Sequence, residues 1–321
     1  MNIIQTVDVK RSEQFLRGLL DELESCGVFG VRFNFGRISD SSFLQMLERT
    51  INITKSTTSE LRFIFDLPFP KRKSRIINIS IEDQYVSYGK EYTITFDPKT
   101  FYLSNNCILM DKVDYPNLKA DKIIYYGDGE LGFEIVKQES SSELKVVALG
   151  SGNILPTRAI NWGFSQSPKK LTYEAIDMIG KEERFDVAFS FVESPCDLPE
   201  FIGNYNGMFK IAKIETEAGV VSLDGIMKKT DGIMVARGDL GLNIRIEDFY
   251  STIKNLVDNA LAKNKRVFYA TDILTSLEYK YFPCRADIMD VGLMKEMGCT
   301  DVVLPFRNEL LPVILTLKKL I

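Results

Sequence analysis

Eight short apolar runs, separated by stretches of helical period, constrain this chain more than any other feature. They are "IIQTV" from Ile3, "VFGVRFNF" at 28–35, "LRFIFDL" at 61–67, "FDVAFSFV" at 185–192, "FKIAKIE" at 209–215, "DGIMVARGD" at 231–239, "RVFYATDIL" at 266–274 and "DVVLPF" at 301–306. Most are continuously apolar rather than alternating. That is the pattern of strands buried on both faces of a parallel sheet. Between them lie amphipathic segments. "SEQFLRGLLDELESCG" starts on a Ser12 cap and ends on Gly27, with Phe15, Leu16, Leu19, Leu20 and Leu23 on one face. "EDFYSTIKNLVDNALAKN" repeats its apolar residues at helical spacing, and "SSFLQMLERTI" and "LTYEAIDMIG" behave alike. Eight strands alternating with helices predict an α/β fold of the (β/α)8 barrel type.

One interval breaks the pattern. Between about Lys73 and Gly163 the helical period disappears, and Ile77, Ile79 and Ile81 alternate with polar residues, as do Tyr92, Ile94 and Phe96. "YGDGELGF" at 126–133 reads as a tight turn between strands, and "KQESSSE" at 137–143 as a polar hairpin tip. The expected organisation is a barrel from 1–72 and 164–321, with a small β-rich domain, 73–163, inserted after the third barrel strand. An insertion there emerges at the C-terminal mouth of a barrel, where active sites lie, and would serve as a lid.

Composition removes several chemistries. The chain contains no histidine, which excludes Ser-His and Cys-His catalysis and imidazole-bound metals. Its five cysteines are scattered without a CxxC pair, so reduced buried thiols are expected rather than disulfides or structural zinc. Any metal must therefore be a hard cation held by oxygen. The net charge of −4 and pI near 5.3 suggest no nucleic-acid partner. Neither a leader nor a run of transmembrane length is evident, so no membrane partner is expected, and the cytoplasm is the default location.

Polar residues that end buried strands point into the mouth of such a barrel. Arg32 and Asn34 end the second run, Asp66 the third, and Ser190 lies on the fourth. Lys213 and Glu215 end the fifth, Arg237, Gly238 and Asp239 the sixth, and Thr271 and Asp272 the seventh. A single charged ending would be a solvated terminus, but six in order mark a site. Glu215 and Asp239, from adjacent strands, make a seat for Mg²⁺ or Mn²⁺. Lys213, two residues before Glu215, leaves the same face and suits charge on a transferring phosphoryl group or an enolate. Arg32 brings a planar fork suited to phosphate. Gly238 permits close approach of a ligand, and a helix beginning near Asp239 would offer N–H groups to a carboxylate.

"KIETEAG" followed by "DGIMVARGDLG" resembles the pyruvate kinase family, as do, in order, "VRFNF", "FDLPFPKRK", "YYGDG", "FYATDIL" and "PCRAD". The resemblance covers essentially the whole chain. It implies that Glu215 and Asp239 hold the divalent cation, Lys213 stabilises the phosphoryl group, and Arg32 holds the phosphate. It implies too that Thr271 belongs to the relay protonating the enolate carbon, and that the Gly238 and Asp239 N–H groups bind the carboxylate. The substrates implied are phosphoenolpyruvate or pyruvate, with ADP or ATP as co-substrate. Asn34, Arg37, Lys73, Asp128 and Arg158 would lie near the nucleotide.

The chain also departs from that family. Lys71 stands where the family places a Glu that organises K⁺, so its ammonium, with Asn34 and Asp66, would replace the monovalent cation; Gly36 in place of a Ser ligand points the same way. Catalysis without added K⁺ is the expectation. Arg37 replaces a His, Lys73 an Arg, Leu67 a Thr and Asp272 a Gln. The chain ends soon after the eighth run, so the family's C-terminal regulatory domain is expected to be missing. Assembly as a homodimer through barrel helices is the open expectation. Two other functions stay open: a metal-dependent decarboxylase or aldolase acting through the enolate of a 2-oxo acid, and a non-catalytic binding protein.

Overall fold

The computed structural model describes residues 1–36, 38–57, 59–68, 71–111, 122–127, 129–156, 158–166, 169–205, 207–307 and 309–321. Eight parallel strands close into a barrel: β1 (Asn2–Val7), β2 (Gly30–Asn34), β3 (Arg62–Leu67), β4 (Phe185–Phe189), β5 (Lys210–Ile214), β6 (Gly232–Ala236), β7 (Arg266–Ala270) and β8 (Asp301–Leu304). Each strand coincides with one of the eight apolar runs, β1 starting one residue earlier at Asn2. β8 pairs with β1 to close the ring, Asn2 facing Asp301.

Strand alternation divides the apolar residues between two cores. Ile4, Ile64, Ala188, Ile211, Met234, Phe268 and Val303 point inward and fill the barrel. The residues between them point outward, with Phe33, Phe63, Phe65 and Phe185 stacked against one another beneath the helices. Both faces of the sheet are thereby dry, which is why the runs read as continuous.

The helices form where the period placed them. The first, Glu13–Ser25, is capped by Ser12, whose side chain accepts the Phe15 N–H, and it buries Leu16, Leu19, Leu20 and Leu23. Phe15, expected on that face, is instead 47% exposed beneath the guanidinium of Arg11, 5.2 Å from its ring centre. The helices Asp40–Lys55, Lys169–Ile179, Phe249–Ala262, Arg285–Glu296 and Leu311–Leu320 continue the alternation. It is interrupted after β4, where the 3₁₀ turns Pro195–Asp197 and Glu200–Asn204 replace an α-helix. Pro195 and Pro199 lie in that connection, and Pro is tolerated only at the first turn of a helix. Among the described residues no helix is long and apolar enough to cross a membrane.

The chain divides into two compact units, Met1–Lys71 with Gln166–Ile321, and Arg72–Ser165. The second unit is a closed barrel of seven strands, with a separate two-stranded pair beside them in sequence. Its core gathers Trp162, Phe133, Tyr92, Ile94, Ile135 and Val146, and Trp162 donates its indole N–H to Ser74 Oγ at 2.8 Å. The 126–133 segment joins two antiparallel strands, Tyr126 facing Leu131, and the 137–143 tip links Leu131–Ser140 to Glu143–Ala148. Ile77 does not share a face with the core: it is 52% exposed while Ile76 is buried. A register shift between Ile76 and Asn78 explains this, because one extra residue reverses which side chains face inward.

At the N-terminal end of the large barrel, charges are matched in pairs. Arg62 grips Asp186 with Nε at 3.2 Å and Nη2 closer still. Arg266 grips Asp301 in the same forked way, Nε at 2.9 Å. Asp301 is fully buried, so Arg266→Ala would strand its carboxylate. Removing one partner of such a pair costs about 3–5 kcal/mol. The midpoint of urea unfolding is expected to fall accordingly, and an unchanged midpoint would show that this end of the barrel does not depend on the pair.

Candidate active site

The opposite end of the same barrel carries the polar strand ends. On three strands the inner-facing column is apolar at its base and polar at its top: Ile64 then Asp66 on β3, Ala188 then Ser190 just after β4, and Ile211, Lys213 and Glu215 along and just past β5. The period of two puts these side chains on one face, and parallel strands bring all their C-terminal ends to one mouth. Arg32 stands on the neighbouring β2, paired in register with Ile64.

Asp66 is the centre of the cluster. Its carboxylate receives Arg32 Nε at 2.7 Å and Arg32 Nη2 at 2.6 Å on one oxygen. The other oxygen takes the Lys213 ammonium at 3.4 Å. Lys213 also donates to Ser190 Oγ at 3.1 Å and forms an ion pair with Glu215 Oε1 at 3.4 Å. The Ser190 hydroxyl donates to the Leu67 carbonyl at 2.8 Å. The Phe191 N–H, 2.6 Å away, donates to the second Glu215 oxygen. Phe191 adopts φ +48° to do so, an uncommon conformation outside glycine that marks a constraint from the surroundings. Arg32 Nη1 completes its set on Thr6 Oγ1 of β1 at 3.0 Å.

Burial and charge oppose one another here. Burial alone would push the Asp66 carboxyl up, but Lys213 and Arg32 outweigh it and hold the group below the usual carboxylate range. Burial would also strip Lys213 of its proton, yet Asp66 and Glu215, with Asp239 beyond them, keep it an ammonium with its pKa raised. Glu215 moves the other way from Asp66. Burial raises its pKa, Lys213 pulls against this, and the charge of Asp239 adds to the rise.

The residues beyond β6 divide between two tasks. Helix Arg237–Asn243 begins at once, with Gly238 and Asp239 in its first turn. Asp239 acts electrostatically on both Lys213 and Glu215. Arg237, although it too ends a strand, turns aside to Asp290 at 2.6 Å and to the turn behind β7. Gly238 faces Thr271: a Cβ at position 238 would lie 2.8 Å from the Thr271 methyl, so glycine is required by the packing of that threonine. Asn34 accepts the Gly36 N–H at 2.8 Å and closes its own turn.

The remaining expected residues are placed as follows. Arg37 and Asp128 lie outside the described residues, and for Lys71 only the backbone, the first residue of strand Lys71–Ile79, is described. Lys73 is half-buried in that strand, in the second unit. Arg158, also in the second unit, pairs with Glu130 and lies 5.7 Å over the Tyr126 ring. Three contributors carried no recognisable sequence signal of their role. Ser190 was visible only as a polar strand end, Thr6 only as a hydroxyl closing an apolar run, and the Phe191 N–H not at all.

The donor set suits a hard divalent cation. Among the described residues, Asp66, Glu215 and Asp239 share one electrostatic cluster with Arg32 and Lys213. No three carboxylate or thiol groups among the described residues cluster into a closed cage. Two protein carboxylates, with the other positions open to water or substrate oxygens, is the arrangement Mg²⁺ favours.

Residues 2–304 match the family model described as pyruvate kinase, barrel domain. The pyruvate kinase of Lachancea kluyveri is 31% identical over 260 residues, covering 74% of this chain and 46% of that protein. That of Kluyveromyces lactis is 30% identical over the same shares. The pyruvate kinase of Clostridium perfringens is 29% identical over 87% of this chain and 60% of its own length. The chain thus spans about half the length of the curated relatives it matches.

Because the Asp66 pKa is lowered on folding from 3.8, its contribution to stability is complete above that value and is lost as pH falls through the lower, folded-state value. Asp66→Ala should cost about 3–5 kcal/mol at neutral pH, since it leaves buried cations uncompensated. The difference from the parent should shrink once the pH drops below the usual carboxylate range. Urea unfolding across that range measures it, and a pH-independent difference would contradict the charge network described.

Proposed function

Because the chain belongs to the pyruvate kinase family, we propose that it moves a phosphoryl group between phosphoenolpyruvate and ADP, giving pyruvate and ATP. The observation that carries this reading is Lys213: an ammonium held charged in the barrel interior between Asp66 and Glu215. A fixed cation in a dry site strongly stabilises negative charge that develops as a phosphoryl group leaves an enol oxygen. Arg32, oriented by Asp66 and Thr6, would bind the phosphate. The N–H groups of Gly238 and Asp239 would take the carboxylate, and Glu215 and Asp239 would hold Mg²⁺ or Mn²⁺. When bound, such an ion supplies charge neutralisation at the phosphoryl and enol oxygens.

The transfer leaves the enolate of pyruvate, which must gain a proton at carbon. No histidine exists to deliver it. Thr271, whose methyl is seated against Gly238, carries the hydroxyl we assign to that relay. The nucleotide would be met by Asn34, Arg37, Lys73, Asp128 and Arg158. Lys71, with Asn34 and Asp66, would stand in for a monovalent cation, so the activity would not require K⁺. The work would be done in the cytoplasm, by a homodimer joined through barrel helices.

Two assays test this. With Mg²⁺, phosphoenolpyruvate and ADP should give ATP at similar rates with and without K⁺, and chelation of the metal should stop the reaction. With Mg²⁺ and pyruvate alone in D₂O, the methyl protons should exchange. Lys213→Met and Asp239→Asn should each lower ATP formation by about a hundred- to a thousandfold, the scale of losing one electrostatic stabiliser. Methyl exchange without nucleotide turnover would replace the kinase reading with that of an enolate enzyme acting on a 2-oxo acid. Neither activity, or full activity in both variants, would overturn the site assignment.

A further inference from the structure

The turn behind β7 has an unusual backbone. Thr271, Asp272 and Leu274 all adopt positive φ, at 77°, 56° and 54°. Residues with a side chain avoid this region, β-branched threonine most of all, and they persist there only where the surroundings over-determine them. In this turn the over-determination comes from two arginines on either side. Arg237, at the end of β6, donates Nε to the Ala270 carbonyl at 3.1 Å and Nη2 to the Thr271 carbonyl. Arg307, beyond β8, donates Nη2 to the Ile273 carbonyl at 2.9 Å and Nη1 to the Leu274 carbonyl at 2.7 Å. Four of the five carbonyls from 270 to 274 therefore end on two guanidinium groups.

Each guanidinium is itself held. Arg237 lies 4.2 Å over the Tyr269 ring and gives Nη1 to Asp290 at 2.6 Å and to the Tyr269 hydroxyl at 3.1 Å. That hydroxyl in turn donates to Asp290 at 2.9 Å. Arg307 is 7% exposed, with Glu278 at 3.5 Å from its Nε. A buried arginine that spends its fork on backbone carbonyls is costly in itself, because its charge has left water. Only a planar group with fixed donors can bridge two carbonyls at once in this way.

We propose that Arg237 and Arg307 are positioning residues, a two-sided clamp on the 270–274 backbone that sets the Thr271 hydroxyl for proton transfer to the enolate carbon. This rests on the reading of Thr271 given above. Gly238 completes the seat, since it alone leaves room for the Thr271 methyl. The clamp acts on the protonation step and not on phosphate binding, which belongs to Arg32 on β2.

The test uses the full chain with Mg²⁺ and the variants Thr271→Ala, Arg307→Met, Arg307→Lys and Arg237→Lys. Five quantities are measured: pyruvate methyl exchange in D₂O, kcat and KM for phosphoenolpyruvate, amide hydrogen exchange across 271–277, and Tm. Thr271→Ala should abolish methyl exchange. Arg307→Met should lower methyl exchange and kcat at least tenfold, with KM within twofold. Its amides at 271–277 should lose at least tenfold protection while those of the barrel strands keep theirs. Arg307→Lys and Arg237→Lys, which keep the charge without the fork, should fall between; they carry the test if Arg307→Met does not fold. If Thr271→Ala abolishes exchange but the arginine variants stay within twofold of the parent, the clamp is overturned and the Thr271 reading stands. If Thr271→Ala exchanges normally, the Thr271 reading fails and the clamp's role in proton transfer fails with it. Loss of protection throughout the barrel, with kcat and KM moving together, would reduce both arginines to a structural role.

Discussion

The buried carboxylate of Asp66 is the interaction on which the barrel mouth depends. It ties β2 to β5 by taking Arg32 on one oxygen and Lys213 on the other. Without it, two cations would sit in an interior that penalises unpaired charge by several kcal/mol each. With it, Lys213 remains an ammonium despite being almost wholly removed from solvent. The same tie fixes where Arg32 and Lys213 can be, and so places fixed positive charge above an apolar floor of Ile64, Ile211, Met234 and Phe268.

The two ends of the barrel solve the same electrostatic problem differently. At the N-terminal end, Arg62 with Asp186 and Arg266 with Asp301 are matched one to one in forked pairs. Such pairs are complete and ask for nothing further. At the C-terminal end the described carboxylates Asp66, Glu215 and Asp239 share one electrostatic cluster with Arg32 and Lys213, and the charge of Asp239 adds to the rise of the Glu215 pKa. Within a single sheet of near-uniform apolar strands, one end thus carries separate forked pairs and the other a cluster in which each group acts on several.

Backbone strain is concentrated at the same end. Phe191 and Thr271 adopt positive φ where each strand gives way to its connection, and each is held by a polar side chain from elsewhere: Glu215 on the Phe191 N–H, Arg237 on the Thr271 carbonyl. In both cases a long-range hydrogen bond fixes a conformation that local preferences oppose. Connections with this property position atoms tightly, because relaxing them would break contacts made by other strands.

Sequence alone determined the strands. Continuous apolar runs such as "GIMVA" can be buried only on two faces, and eight of them alternating with helical period leave a closed parallel barrel as the economical solution. It also determined which side chains share a face, because Lys213 and Glu215 are two residues apart on one strand. The loss of helical period from about Lys73 marked a β-rich insert for a similarly local reason. What the sequence could not specify was partnership. Nothing local distinguishes Arg32, which turns to Asp66, from Arg237, which turns away to Asp290, since both are arginines ending buried strands. Nor does any pattern reveal that Arg307 reaches back to the carbonyls of Ile273 and Leu274, or that a main-chain N–H at Phe191 completes Glu215. Those choices depend on distances between strands far apart in the chain. They exist only once the barrel has closed and burial has made each unpaired charge too costly to leave alone.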